Sequence, residues 1–256
     1  MAARSPVSRC GTALAGLVFA AAVPMAAQAQ SWDYSASVYM WMSGLATALD
    51  TPFGRVETEL SFGDVLDDLE FAFFAKFEAE NGPWVLLGDI NYSDLQTTLA
   101  TPGPVFAAAQ VDTTLTILSA FGGYAVVDRP ELRVDLGGGL RYYDLSIDTS
   151  LTGSTVGVPD QNNSTSENWV DPLVGVRLAG PISDRWFAKG YADVGGFGIG
   201  DASNLSWQLY AGAGYLINST WAVEFGYRYL SIDKDLENAT IELDQFGPLV
   251  GITARF

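Results

Sequence analysis

The sequence predicts an all-β protein, a closed antiparallel up-and-down barrel of about ten strands, with eight or twelve strands as alternatives. Three observations predict this fold. Apolar and polar residues alternate with a period of two from Tyr34 to the last residue, whereas sustained 3.6-residue periodicity is almost absent. Short turns alternate with longer polar connections along the chain. Glycine is abundant (27 residues) and aromatic residues make up 12% of the chain, which suits strands and tight turns better than helices.

The composition excludes several classes of function. Only 17% of the residues are charged, whereas ordinary soluble domains contain roughly 25%. This low content of charged residues argues against a plain cytosolic protein. The chain has no histidine, which excludes Ser-His-Asp and Cys-His catalysis and HExxH metal sites. The formal net charge is −17. Nucleic acid and anionic lipid surfaces are therefore poor partners, because both are bound through Lys and Arg.

Residues 1–29 have the pattern of a secretory signal peptide. A short basic region precedes the uncharged apolar stretch Gly11–Val23, and Ala27-Gln28-Ala29 provides the small-x-small cleavage pattern. The alternative is an N-terminal membrane anchor, but the apolar stretch is short for a spanning helix. Cleavage leaves residues 30–256 as one barrel domain, and it removes Cys10, the single cysteine.

The period-two segments and their connections give a provisional strand order. The predicted strands are 33–46, 70–80, 84–99, 111–127, 132–148, 168–180, 186–198, 204–217, 221–234 and 241–256. The predicted short turns are Asn81-Gly82-Pro83, Asp128-Arg129-Pro130, Ser183-Asp184-Arg185 and Asn218-Ser219-Thr220. The longer connections are 47–69, 100–110, 149–167 and 235–240, with a shorter one at 199–203. Short turns on one side and longer polar loops on the other are typical of a transmembrane barrel.

Tryptophan directly follows three of the four short turns, at Trp84, Trp186 and Trp221. Tryptophan prefers the interface between lipid headgroups and water. The shared position therefore predicts one rim of an aromatic girdle around the barrel. The alternative is that these are ordinary core residues at strand starts.

The segment 47–69 is the exception to the strand pattern. Ser61 resembles a helix N-cap, with Asp64 three residues later as its capping-box partner. The residues Val65, Leu66 and Leu69 would form a small apolar face opposite Asp67 and Asp68. The sequence therefore predicts a short helix in the first long loop, packed over the mouth of the barrel.

The last predicted strand fixes which side chains face lipid. One face carries Phe246, Pro248, Val250, Ile252, Ala254 and Phe256. The other carries Gln245, Gly247, Leu249, Gly251, Thr253 and Arg255. The first set suits lipid and the second suits a lumen, because apolar-out and polar-in alternation is the rule for membrane barrels.

This alternating strand ending on Phe256, together with the signal peptide and the girdle, resembles small OmpA/OmpW-like bacterial outer-membrane β-barrel proteins, within a poorly characterised proteobacterial family. The resemblance covers residues 30–256 as an architectural pattern and assigns no specific activity. It implies export to the outer membrane of a Gram-negative bacterium and contact with outer-membrane lipids and lipopolysaccharide. It also implies insertion by the barrel-assembly machinery, for which Phe256 would be the C-terminal signal.

The same face assignment places charges of both signs in the lumen. The inward basic residues are Lys76, Arg133, Arg141, Arg177, Lys189, Arg228 and Arg255. The inward acidic residues are Glu78, Asp89, Asp135, Asp171, Asp193 and Glu224. A bore of about ten strands is scarcely wider than its own side chains. We therefore predict an ion-pair network that fills the lumen, because buried charges must be paired. The alternative is a narrow, porin-like, charge-selective channel.

Three classes of function follow from this fold. The preferred one is a structural or interaction barrel, in which surface loops contact a partner that the sequence does not identify. The second is a narrow channel for small solutes or ions. The third is an outer-membrane enzyme, which is disfavoured because the phospholipase, deacylase and omptin-like protease families of this membrane need a histidine.

No cofactor is expected, and the acidic clusters are predicted to be solvated loops rather than metal sites. The first cluster contains Asp50, Glu57, Glu59, Asp64, Asp67, Asp68 and Glu70, and the second contains Asp233, Asp235 and Glu237.

Overall fold

The computed structural model describes residues 32–51, 54–99, 106–153, 161–236 and 240–256. Its elements in chain order are β1 (Asp33–Trp41), β2 (Gly44–Thr51), β3 (Gly54–Leu60), α1 (Phe62–Asp67), β4 (Leu69–Asn81), β5 (Trp84–Leu99), β6 (Phe106–Arg129), β7 (Leu132–Gly153), β8 (Gln161–Pro181), β9 (Trp186–Gly195), β10 (Leu205–Leu216), β11 (Trp221–Asp235) and β12 (Thr240–Arg255). No helix in these residues is long and apolar enough to span a membrane. The predicted signal peptide, 1–29, lies outside the described residues.

Strands β1 and β4 to β12 form a closed antiparallel barrel of ten strands, which confirms the predicted fold. Each strand pairs with its neighbours in sequence, and β1 pairs with both β4 and β12 to close the sheet. The connections β4–β5, β6–β7, β8–β9 and β10–β11 are short turns and lie at one end of the barrel, which we call the turn end. The opposite end, where the longer connections lie, is the loop end.

The predicted loop 47–69 is corrected by the structure, because strand pairing continues into it. After an interruption at Met42 and Ser43, β2 continues the direction of β1 and pairs with the half of β12 that β1 does not reach, from Thr240 to Phe246. β3 then folds back on β2 as a hairpin. The reason is that β12 is longer than β1, so its loop-end backbone groups need a second partner.

The predicted helix is confirmed in this connection as α1. Asp64 N–H donates to the Ser61 hydroxyl (3.3 Å), and the Ser61 backbone N–H donates to the Asp64 carboxylate (2.9 Å). The Ser61 hydroxyl also donates to this carboxylate, and these hydrogen bonds lower the pKa of Asp64. The helix lies beside the β2–β3 hairpin, with Val65 half-buried and Leu66 exposed, so the predicted apolar face is only partly packed.

Two rings of outward-facing aromatic side chains bracket the apolar outer surface. Trp84, Trp186 and Trp221 all lie at the turn end, and they are 55%, 40% and 46% exposed. At the loop end, the Trp207 ring stacks on Tyr229 (4.9 Å), and Tyr229 stacks on Phe246 (5.7 Å). Trp221 and Tyr229 are eight residues apart on one tilted strand, which separates the two rings by about 20 Å along the barrel axis. This separation suits the apolar band of a membrane barrel.

Three strands extend far beyond the aromatic ring at the loop end. β6, β7 and β8 contain 24, 22 and 21 residues, whereas a tilted strand needs only about 9–11 residues to cross a membrane. β9, in contrast, contains 10 residues and ends at Gly195, opposite Leu173 of β8. The loop end of the barrel wall is therefore uneven, with a tall sheet on one side and a notch after β8.

We predict that Gly139→Ala destabilises the barrel. A Cβ atom at Gly139 would lie 1.9 Å from the carbonyl oxygen of Ala120 on β6, so the two strands would have to separate. The matched control is Gly88→Ala on β5, where no atom lies within 4 Å of the added Cβ. Unfolding in urea should show a loss of about 1–3 kcal/mol for the first variant and almost none for the second. Equal stabilities would contradict the close β6–β7 approach.

Candidate functional site

The lumen contains the buried charges of the chain, because every second residue of each strand points inward. Three zones follow one another from the turn end to the loop end. These are an open vestibule, a layer of ion pairs that surrounds a small cavity, and a cluster of apolar side chains. The chemistry of each zone decides whether anything can pass through the barrel.

Arg177 of β8 is the centre of the ion pairs nearest the turn end. Its Nη1 atom lies 2.8 Å from the Asp135 carboxylate, and its Nη2 atom contacts both Glu78 and Glu80 of β4. Asp135 also accepts a hydrogen bond from Arg133 Nε at 2.8 Å. Asp135 has 0% exposure, so two guanidinium groups neutralise one fully buried carboxylate. These contacts connect β4, β7 and β8 across the bore.

Two lysines extend this layer to the opposite wall. Lys189 Nζ lies 3.3 Å from Glu78 and 3.4 Å from Glu224. Lys76 Nζ lies 3.3 Å from Glu224 Oε2, and the Thr253 hydroxyl donates a hydrogen bond to Glu224 Oε1 (2.9 Å), the oxygen that Lys189 also contacts. Charges of opposite sign therefore alternate around the bore, and each lysine has a carboxylate partner from another strand.

Arg228 of β11 connects the ion pairs to the apolar cluster. Its Nη1 atom lies 3.0 Å from Asp89 and donates to the Tyr39 hydroxyl at 3.0 Å, and its Nε donates to Gln208 at 2.8 Å. The guanidinium carbon also lies 4.7 Å from the centre of the Trp41 ring. The arginine therefore has polar partners on one side and an aromatic face on the other, which is a favourable cation–π arrangement.

Arg141 and Asp193 form the most buried pair, with Nη2 2.6 Å from the carboxylate and both side chains fully buried. Arg141 Nε also donates to the Ser119 hydroxyl at 3.0 Å. Near this pair, Tyr143 and Ser206 have buried side-chain oxygens without a hydrogen-bond partner among the described residues. Buried polar groups of this kind are commonly satisfied by internal water.

Two predicted lumen residues differ from the prediction. Asp171 is buried, but its carboxylate accepts the Ser203 backbone N–H (2.7 Å) and forms no ion pair with the described residues. The reason is that the β9–β10 loop folds inward and provides this donor. Arg255 is exposed at the turn end and also forms no ion pair within the described ranges. The other predicted lumen charges are in ion pairs: Lys76, Glu78, Asp89, Arg133, Asp135, Arg141, Arg177, Lys189, Asp193, Glu224 and Arg228.

Sequence reasoning missed Glu80, which pairs with Arg177 and with Arg133 (3.6 Å). Its signal was present, because Glu80 has the same parity on β4 as the inward residues Lys76 and Glu78. It lies at the end of the predicted strand, where the choice of face is easily overlooked.

The apolar cluster at the loop end was also missed. Its members are Trp41, Phe74, Ile117, Tyr143, Leu145, Trp169, Leu230, Ile232, Ile241, Leu243 and Leu249, all inward-facing and buried. The signal was a reversal of polarity along single strands. On β11 the outward residues change from Phe225 and Tyr227 to Asp233, while the inward residues change from Glu224 and Arg228 to apolar ones. Such a reversal is the pattern expected where the outer surface of a membrane barrel passes from lipid to water.

The β9–β10 loop covers the apolar cluster on its loop-end side. Trp169 Nε1–H donates to the Ser203 hydroxyl at 2.8 Å, and Lys234 Nζ lies 2.9 Å from Asp201. The Trp169 ring stacks on Tyr143 with 4.8 Å between ring centres. These contacts hold the loop against the lumen, so the apolar cluster is covered on this side.

Two spaces lie in the lumen among the described residues. A vestibule of about 910 Å³ lies at the turn end, and Arg133, Arg255 and Phe256 contribute to its wall. A cavity of about 100 Å³ lies among the ion pairs, lined in part by Lys76 and Glu224. The second volume holds only a few water molecules. Neither space is lined by the apolar cluster residues Trp169 and Leu243 near the loop end.

No protein-family model matches the chain, and no curated protein matches its sequence. Solved barrel structures do match its fold. The outer membrane protease OmpT from Escherichia coli superposes with a TM-score of 0.52 at 10% identity, over 89% of this chain and 97% of that chain. The translocator domain of the autotransporter NalP from Neisseria meningitidis gives 0.40 at 17% identity, over 88% of both chains. Ail, the attachment invasion locus protein of Yersinia pestis, gives 0.37 at 11% identity, over 89% of this chain and 100% of that chain.

The superposition on OmpT shows the fold alone, because only 10% of the residues are identical. It supports the coarse conclusion that this chain folds as a β-barrel of the outer-membrane type. The activity of OmpT is not carried over by a likeness at this level of identity.

We predict that Arg228→Ala lowers the free energy of unfolding by about 3–5 kcal/mol, because it removes a buried guanidinium and leaves the partly buried carboxylate of Asp89 without its charge partner. The matched control is Arg255→Ala, which removes an exposed arginine and should change stability by less than about 0.5 kcal/mol. Denaturant titration of the refolded barrel in detergent measures both values. Similar losses for the two variants would show that the lumen is wet enough to screen its charges.

Proposed function

We propose that this protein is an outer-membrane barrel with a sealed, charge-paired lumen, which acts as an anchor and presents its loop-end strands to partners outside a Gram-negative cell. One observation carries the proposal. The lumen is filled by ion pairs and, above them, by a buried apolar cluster. An open channel needs neither layer.

The two layers would exclude solutes by different physical means. An ion crossing the ion-pair layer has to displace paired charges such as Arg177 and Asp135. The displacement leaves one of these two charges unpaired in a buried site, which is costly. An ion crossing the apolar cluster loses its hydration without finding polar partners. A neutral solute could enter the small cavity among the ion pairs, but it would then meet the packed side chains of the apolar cluster. Sealing therefore does not depend on the charge of the solute.

The proposed orientation follows from the lengths of the connections. Outer-membrane barrels have short periplasmic turns and longer extracellular loops, which puts the turn end in the periplasm and the loop end outside. The apolar belt between the aromatic rings would contact outer-membrane lipids and lipopolysaccharide. The proposal includes cleavage of residues 1–29, insertion by the barrel-assembly machinery, and an OmpA/OmpW-like architecture without enzymatic activity.

A narrow porin-like channel is the second candidate function. The observation in its favour is the vestibule of about 910 Å³ at the turn end, whose wall includes Arg133, Arg255 and Asp33. Such a vestibule is the entrance that a channel needs. The apolar cluster at the other end argues against it, and conductance separates the two functions.

We predict that the refolded protein forms no steady conducting state in a planar bilayer. The double variant Trp41→Ala/Arg228→Ala should introduce one, because these stacked residues connect the ion-pair layer to the apolar cluster. Arg255→Ala is the control variant and should remain silent, because Arg255 lies outside both layers. Ohmic conductance of the wild-type protein would overturn the sealed lumen and favour the channel.

A second prediction tests location and orientation. The chain contains one cysteine, Cys10, which precedes the predicted cleavage site, so an introduced cysteine is the single labelling site of the mature protein. On intact cells, a membrane-impermeant maleimide should label Ser164→Cys at the loop end and leave Ser183→Cys at the turn end unlabelled. Both should be labelled after the cells are broken. The reverse pattern, or recovery of the protein in the soluble periplasm, would contradict the proposal.

A further inference from the structure

One edge of the tall sheet has no strand partner in the part of the chain that the structure describes. β9 ends at Gly195, opposite Leu173, and the last backbone contact between the two segments is Gly196 N–H donating to Pro172 C=O (3.0 Å). Beyond this point, residues Gln161–Asp171 of β8 pair with β7 alone. Their other edge faces the notch above the β9–β10 loop.

The contact at Pro172 shows which backbone groups lie on the free edge. In an antiparallel strand, the N–H and C=O of one residue point to the same neighbour, and successive residues alternate between neighbours. Pro172 points toward β9, so the even-numbered residues of β8 point to the free edge and the odd-numbered residues bond to β7. The residues with free-edge backbone groups are Asn162, Ser164, Ser166, Asn168 and Val170.

This edge lacks the usual protection against strand addition. Natural edge strands are commonly interrupted by Lys, Pro or a bulge, or they are covered by another segment. Residues 161–170 contain no Lys and no Pro, and β8 pairs with β7 without a register shift. The side chains of Gln161 to Ser166 are all exposed. The strand is therefore a suitable template for another extended chain.

The surroundings of the edge are strongly anionic. No Lys or Arg occurs in residues 92–128 or 142–176, which include the loop-end parts of β5 to β8. The outer face of this sheet carries Asp94, Asp112, Asp144 and Asp148. Glu167 lies on the edge strand itself. An incoming segment would therefore meet a field that attracts positive charge and repels negative charge.

We propose that the free edge of β8, Gln161–Val170, binds an extended basic peptide segment of another protein by strand addition. This inference rests on the proposed function, because it needs the loop end to face outward. Main-chain hydrogen bonds to the even-numbered residues provide affinity, and the acidic face selects a basic sequence. A second copy in the same membrane is a poor occupant, because its β8 would run parallel and carry the same negative charge.

Hydrogen exchange of the detergent-solubilised protein tests the geometry of the edge first. The amides of Ser164, Ser166 and Asn168 should exchange fast, and those of the odd-numbered neighbours Thr165 and Glu167 should be protected by β7. Uniform protection of 161–170 in the monomer would show that the edge is covered, and would overturn the proposal. The same result only in a dimer would assign the edge to a second copy, and would overturn it equally.

The binding step is tested with an acetylated ten-residue peptide of alternating Lys and Thr as the probe. Binding should protect the even-numbered amides and should weaken as salt is raised. The control peptide carries N-methyl groups on alternate residues, which keeps its charge but removes its edge hydrogen bonds. Equal affinity of the two peptides would show charge attraction without strand addition, and would overturn the proposal, as would a probe that does not bind.

The matched variants are Ser166→Pro and Ser166→Ala. Proline removes an N–H that points to the free edge and leaves the hydrogen bonds to β7 intact, so the barrel should fold. It should weaken peptide binding by about tenfold or more, whereas alanine should leave binding unchanged. Equal binding to the two variants contradicts the proposed edge. These measurements do not depend on orientation or sealing, so their failure is distinguishable from failure of the labelling and conductance experiments.

Discussion

The structure depends on one constraint, which is that a charged side chain inside a narrow barrel must be paired with an opposite charge or be hydrogen-bonded, as Asp171 is by the Ser203 backbone N–H. Ten strands enclose a bore that their own side chains nearly fill. Arg177, Asp135 and Glu78 therefore lie on three strands and meet at the centre. A shift of one strand by one residue would turn its charges into lipid, at a cost of about 2–4 kcal/mol for each Lys or Arg at the membrane midplane. The pairing thus fixes the register of the sheet as well as filling the lumen.

The same constraint explains why the barrel has two different halves. Between the aromatic rings the outer surface is apolar, and the inner surface holds the ion pairs. Beyond the aromatic ring at the loop end the polarity is reversed, with Asp233 facing outward and Leu230 and Ile232 facing inward. The loop-end half is thus organised like a water-soluble sheet around an apolar core. This division supports an anchor whose outer half provides a rigid surface rather than an opening.

Much of this arrangement could be predicted from the sequence, because period-two alternation assigns each residue to a face. The inward position of residues such as Arg228 follows from parity, the ten barrel strands follow from alternation together with the turns, and the helix at Ser61 follows from its capping box. Three features do not. The inward fold of the β9–β10 loop onto Asp171 depends on tertiary contacts with Ser203. The β2–β3 hairpin depends on the unequal lengths of β1 and β12. The free edge of β8 depends on where β9 ends, which alternation does not encode.

The central claim is that the lumen is sealed by paired charges and packed apolar side chains. Osmotic water permeability of proteoliposomes tests it most directly, because water is the smallest solute and needs no charge to cross. Stopped-flow light scattering after an osmotic step should give the same shrinkage rate for vesicles with and without the wild-type protein. A rate that increases in proportion to the amount of inserted barrel would show a continuous water column, and would contradict the sealed lumen.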